Sequence, residues 1–328
     1  MANRVSKPVL TSALVVSVAI VALLVLWAPG SNGTSFAVDE NGVRYLDRVF
    51  EDIEENRAVV FAEVVGETGL EALRMDVFAP AEDDASDRPI MIVAFGGGFA
   101  SGDRASVEGL ARDFAHRGYV SATIDYRVLE ESPVDSDELL RAHARATHDG
   151  LAALRFLRSD PPRWGVRTDA AVMGGLSAGG FIGATAGTFD VSDPGTAPAT
   201  LAYFDDNFGA IGSEAPGDDV LSEVQGILSL SGGLFSLDGI DPGDAVFFGA
   251  HHEIDPIVPC GTTDEDPWNV GITVHGSCSI AGRYAELDIA HGLFFAEDTE
   301  GHATFSSAQT DELTAKAAEL FYRHVVQR

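Results

Sequence analysis

Residues 170–180 read AAVMGGLSAGG: an apolar run, then Ser177 between Gly175 and Gly179, then a stretch rich in small residues through Gly187. A buried strand that turns sharply into a helix calls for this order, because glycine at the flanks lets neighbouring backbone approach where a side chain would collide. Glycine supplies 35 of the 328 residues, so the pentapeptide alone carries little weight, and the segments around it have to supply the rest. A chain built around such a turn is constrained to a layered α/β architecture with the serine at the carboxyl end of a strand.

The flanking sequence satisfies that demand. AVVFAEV (58–64) and ALRMDVF (72–78) predict two strands joined by the turn at 66–69, and PIMIVAF (89–95) is a continuous apolar run of the fully buried kind. SVEGLARDFAHRG has helical spacing and ends on a glycine, after which YVSATIDY returns to strand. The longest helix starts after the Asp/Ser/Pro-rich stretch at 132–137, carries Leu140, Ala144, Thr147, Leu151, Leu154 and Leu157, and stops at SDPPRWG. GILSLSG, AVFFGA and GLFFAE predict the later strands, with helices over SIAGRYAEL and DELTAKAAELFYRHVV. Strand and helix alternate throughout, so the expected fold is α/β: one domain over 38–328, with a mostly parallel central sheet flanked by helices.

Before that domain, Arg4 and Lys7 precede 20 uncharged residues, Pro8 to Trp27, followed by the linker-like GSNGTS. This is enough apolar helix to cross a bilayer and longer than the usual core of a cleaved signal. Residues 1–37 are therefore expected to be a signal peptide or a signal anchor. A small-x-small site at Ser35, Phe36 and Ala37 leaves both outcomes open. Export to a periplasmic or extracellular location follows from either, with membrane attachment through residues 8–27 in the second. Cys260 and Cys278 then read as a disulfide closing the loop between them, since two thiols without Cys-x-x-Cys spacing make a poor zinc site. The formal net charge of −30 excludes nucleic acid and anionic surfaces as partners. Lys7 and Lys316 are the only lysines, and so acidic a surface suits a saline exterior that screens self-repulsion.

Three further stretches supply chemistry to Ser177. AFGGGFASGD (94–103) follows the central strand and offers the backbone N–H groups of Gly97 and Gly98, which with that of Ala178 can surround an oxyanion. It lacks the Gly-Lys-Ser/Thr ending of a phosphate loop. GAHHEIDPIVP (249–259) places Asp255 in a proline-stiffened loop after a strand, a position suited to a carboxylate that orients a histidine; Glu253 is the competing acid. His251 and His252 are adjacent, so their side chains diverge and do not make a metal pair. His302 in EGHATF follows a strand, whereas the competing His291 precedes it and would emerge at the wrong end. The chain order Ser177, Asp255, His302 is the serine, acid, histidine order expected on this architecture.

From about Val43 onward the chain resembles the α/β-hydrolase fold family, specifically carboxylesterases and lipases related to the hormone-sensitive lipase group. RPIMIVAFGGGFASGD resembles the family's strand and HGGG-type loop, YVSATIDYRV its next strand, and THDGLAALRFLRSDPPRWGVRTDAAVMGGLSAGG its approach to the nucleophile elbow. EIDPIVP and EGHATF resemble its acid and histidine loops. The resemblance implies Ser177 as nucleophile, Asp255 as acid, His302 as base and Gly97, Gly98 and Ala178 as oxyanion donors, with no cofactor or metal. It also implies a small-molecule, lipid or polymer ester as substrate. Two positions depart from the pattern: Phe95 stands where the family usually has His, and Leu176 where many members have an acidic residue. A serine peptidase or amidase would use the same residues, and a non-catalytic binding protein on this fold would commonly lack one of them. Residues 188–224, including Phe204 and Phe208, are long enough to shape or cover an acyl pocket, or to lie in the core.

Overall fold

The computed structural model describes residues 38–39, 42–66, 69–129, 131–189 and 222–328. The expected segment at 8–27, and Phe204 and Phe208 with most of the 188–224 stretch, lie outside the described residues.

Eight strands form the central sheet: β1 (Ile53–Gly66), β2 (Gly69–Pro80), β3 (Arg88–Ala94), β4 (Val120–Ile124), β5 (Val166–Leu176), β6 (Gly226–Leu230), β7 (Val246–Ile254) and β8 (His291–Glu300). Their spatial order is β8-β7-β6-β5-β3-β4-β2-β1. The run from β8 to β4 is parallel, while β4 pairs β2 and β2 pairs β1 antiparallel. The short turn at 66–69 fixes the β1/β2 register, because Gly66 sits opposite Gly69.

Every residue of β3 is buried, so both faces of the sheet's centre are covered, as its unbroken apolar run requires. The main helices are α1 (Glu108–His116), α2 (Ser136–Ser159), α3 (Ala178–Thr188), α4 (Ser277–Glu286) and α5 (Ser307–Phe321). Phe114 of α1 meets Phe321 of α5, and α2 packs along α3. The Asp135 carboxylate caps α2 by accepting from Glu138 N, and the chain leaves that helix where Pro161 and Pro162 remove two backbone donors. The last helix starts four residues before the apolar pattern suggests, because Ser306 and Gln309 form a capping box; beyond Phe321 it widens into π-type turns over Tyr322–Val326.

Several strands run further than their apolar cores predict, and two of them, β7 and β8, do so at the ends that carry the site. β7 continues through the polar His251, His252 and Glu253 to Ile254, and β8 continues to Glu300. A bulge after His252 shifts the register, so that Ile254 pairs with Glu300. The loops carrying Asp255 and His302 therefore leave the sheet side by side. Residues 36–328 form one compact unit.

Candidate active site

Ser177 stands between β5 and α3 with φ 52° and ψ −115°, a backbone conformation few non-glycine residues adopt. The turn is held from the sheet: Ser177 N donates to Leu230 O at 2.8 Å, and Gly180 N and Phe181 N donate back to Ser177 O. A side chain at either Gly175 or Gly179 would overlap the Ala94 carbonyl oxygen, which is why both flanks of the serine are glycine.

His302 bridges the serine and the acid. Its Nε2 lies 2.8 Å from Ser177 Oγ, and its Nδ1 lies 2.9 and 3.0 Å from the two carboxylate oxygens of Asp255. An ionised carboxylate only accepts, so Nδ1 carries the proton and Nε2 is free to accept from the serine hydroxyl. The Asp255 side chain is fully buried. Burial alone would raise its pKa, but the His302 hydrogen bond and the backbone N–H groups of Ile257 and Val258, each 3.0 Å from Oδ1, hold it below the ordinary carboxylate range.

The competing groups sit elsewhere. Glu253 is exposed and accepts from Asp298 N, and His291 sits at the amino end of β8, bonded to Ile289 O. His251 donates to Val258 O, while His252 meets Thr299 and Thr304, so the adjacent pair does not converge on one ion. His251 lies behind the acid, its Nε2 3.8 Å from Asp255 Oδ2, and burial pushes its pKa down to about 4. It is therefore a neutral packing partner of the carboxylate at neutral pH.

Ser177 and His302 open onto a cavity of about 490 Å³, also lined by Gly96, Gly97, Gly98, Ile257 and Trp268. Gly97 and Gly98 thus face the space beside the serine hydroxyl. Ala178 is the first residue of α3, so its N–H has no intrahelical acceptor and is directed out of the helix start. Leu176 lines the same cavity. Phe95 is buried and stacks on Tyr126, ring centroids 4.2 Å apart, and Tyr126 donates its hydroxyl to Phe95 O at 2.9 Å. Tyr126 is itself fixed by its neighbour Arg127, whose backbone and guanidinium both bind the buried Asp149 of α2. An aromatic stack thus supports the glycine loop where a histidine side chain would otherwise be expected.

Two contributors were not singled out from the sequence. Ser231, directly after β6, donates its N–H to Ala250 O and accepts the Ala303 N–H on its hydroxyl at 2.9 Å, tying the histidine loop to the sheet. Its place at a strand's carboxyl end in GILSLSG is the one signal that marks it. Trp268 has no such signal. It reaches the cavity from the loop closed by the Cys260–Cys278 disulfide.

Known proteins resemble this chain in sequence and in fold. The BD-FAE family matches residues 75–229. Carboxylesterase 1D of Mus musculus is 29% identical over 164 residues, 47% of this chain but only 27% of that protein's own length. Esterase 2 of Thermogutta terrifontis, phosphoramylated by tabun, superposes with a TM-score of 0.58 at 20% identity, covering 83% of this chain and 94% of that one. A truncated carbohydrate esterase from gut microbiota gives 0.58 at 14% identity, covering 84% and 98%. With a mostly parallel sheet, a strand-turn-helix elbow at Ser177 and these superpositions, the chain has the α/β-hydrolase fold, and over part of its length it is similar in sequence to the BD-FAE family and to a carboxylesterase.

Proposed function

We propose that this protein is a serine hydrolase that cleaves carboxylic esters through an acyl-enzyme. The observation that carries the reading is the unbroken hydrogen-bond chain from Ser177 through His302 to the buried Asp255, at the wall of a cavity beside Gly96–Gly98. In the first half-reaction His302 Nε2 takes the hydroxyl proton as Ser177 Oγ attacks the ester carbonyl carbon. Asp255 stabilises the imidazolium through Nδ1–H, and backbone N–H groups of Gly97, Gly98 and Ala178 receive the oxyanion. His302 returns the proton to the departing alkoxide, leaving the acyl group on Ser177. Water then attacks the acyl-enzyme with His302 again as base, and the carboxylic acid leaves as the serine regains its proton.

The test is hydrolysis of p-nitrophenyl esters from acetate to palmitate by the wild type and Ser177→Ala, together with inactivation by paraoxon, the reagent that phosphorylates the Thermogutta terrifontis esterase 2. Hydrolysis and a covalent adduct on Ser177 in the wild type, both lost in the variant, are expected. A folded wild type inert towards every ester and unlabelled by paraoxon would remove the reading.

We also propose an exported location, with residues 8–27 as signal or anchor. The Cys260–Cys278 disulfide supports it, since such bonds persist in oxidising compartments. Fractionation of cells expressing the full chain should recover the protein outside the cytoplasm; retention in the cytoplasm would count against export.

A further inference from the structure

Ser177 and His302 come from positions 125 residues apart, and one peptide unit with the side chain it carries links their backbones. The Leu230–Ser231 peptide is held on both edges. Its carbonyl, Leu230 O, accepts from Ser177 N at 2.8 Å, and its N–H, on Ser231, donates to Ala250 O of β7 at 2.8 Å. A planar peptide bonded on both edges has little freedom to turn. The next residue is set as firmly, because Gly232 lies so close against α3 that a Cβ there would come within 2.7 Å of Gly180 Cα. Between these anchors Ser231 is fully buried and holds φ 52°, a left-handed conformation that a serine keeps only where its surroundings over-determine it.

The histidine loop is anchored at intervals. Gly301 N donates to Ile254 O at 3.0 Å, and Thr304 O accepts from His252 Nε2 at 3.0 Å, so the 300–301 and 304–305 peptides are held. Among the described residues, the three peptides between them make one hydrogen bond, from Ala303 N to Ser231 Oγ at 2.9 Å. That N–H belongs to the His302–Ala303 peptide, whose plane contains His302 Cα, and Ala303 beyond it is left-handed at φ 51°. The Ser231 hydroxyl therefore holds the Cα from which the imidazole hangs, and holds it relative to the same peptide that receives Ser177 N.

We propose that Ser231 is a positioning residue for His302: its hydroxyl, by accepting the Ala303 N–H, sets where the imidazole stands with respect to Ser177. The ring has bonds of its own at Nε2 and Nδ1, but the Nε2 bond to Ser177 Oγ is given up once the serine proton has moved, and the imidazolium then offers its N–H to the departing alkoxide. From that point the ring is held by Asp255 at Nδ1 and by its own backbone. A backbone free to shift misplaces the Nε2 proton at the step that expels the alkoxide, while substrate binding in the ground state is nearly unchanged. This inference rests on the serine hydrolase reading above.

The experiment compares wild type, Ser231→Ala and Ser231→Gly on p-nitrophenyl acetate and on ethyl acetate, with thermal unfolding to verify folding. Both substitutions remove the hydroxyl, and glycine also relieves the left-handed backbone. Each is expected to lower kcat about tenfold, less than the roughly hundredfold cost of a 1 Å misplacement, with KM within about twofold. p-Nitrophenolate leaves without a proton and ethoxide needs one, so kcat/KM should fall further for ethyl acetate than for the nitrophenyl ester. A merely structural role would lower both esters alike. Unchanged kcat in folded Ser231→Gly, a loss confined to KM, or equal losses on the two esters would each overturn the inference. Should Ser231→Ala fail to fold, Ser231→Gly carries the test by itself. An inert wild type would overturn the hydrolase reading and this inference with it, whereas an active wild type matched by both variants overturns the inference alone.

Discussion

On one side of the cavity Ser177, Asp255 and His302 follow on β5, β7 and β8; on the other, residues 95–99 leave β3 and are held by Tyr126, Leu129 and Trp268. The first group inherits its geometry from a ladder of backbone bonds, since parallel strands in register deliver their carboxyl ends to one edge. The second depends on individual side chains from distant parts of the chain. The sheet-borne groups should therefore fail through loss of chemistry, and the glycine loop through loss of position.

The largest effect is expected on the sheet side. Ser177→Ala should lower kcat for p-nitrophenyl acetate by about a millionfold with thermal stability unchanged, because the turn is held by backbone bonds that the substitution keeps. Residual turnover within a hundredfold of wild type would show that another group carries the chemistry. Asp255→Asn should cost about ten-thousandfold in kcat, since an amide at that position favours the wrong imidazole tautomer.

Acid should weaken both sides together. Burial pushes His251, behind the acid, and His143, packed on Phe99, down to about 4 from an ordinary 6.5. Between those values the unfolded chain binds protons that the folded one refuses, so stability falls as pH drops from 6.5 towards 4 and is unaffected by these groups above 6.5. The two groups act in the same direction, so their losses add across the window. Unfolding in urea at pH 7, 5.5 and 4.5 measures it, and His251→Gln should flatten part of the slope.

Replacing Cys260 and Cys278 by serine should lower stability by about 3 kcal/mol, read by thermal unfolding; an unchanged melting temperature would show that the loop is held without the bond. The smallest effect belongs to Tyr126→Phe, which keeps the stack on Phe95 and loses one hydrogen bond, worth about 1 kcal/mol in urea unfolding.

The same contrast governs what could be read in advance. Ser177, Asp255 and His302 were legible because each sits in a loop just after an apolar strand, and strand ends show in the pattern of the chain. The polar extensions of β7 and β8 were not legible, since His251 to Glu253 and Asp298 to Glu300 carry no strand periodicity and pair through the bulge after His252. The bond of Ser231 to Ala303 spans 72 residues and that of Trp268 to Gly98 spans 170, so neither pairing is legible along the chain.

The sequence by itself determined the α/β layering, the order of its strands and helices from residue 58, and the three residues that form the hydrogen-bond chain, because burial, helix capping and turn chemistry are written in neighbouring residues. Tertiary structure alone decided that Phe95 would be propped by Tyr126, that His251 would sit neutral behind Asp255, and that the disulfide loop would lay Trp268 on the glycine loop. Those contacts join segments far apart in the chain, and a one-dimensional pattern carries no information about which surfaces meet once the sheet has closed around its core.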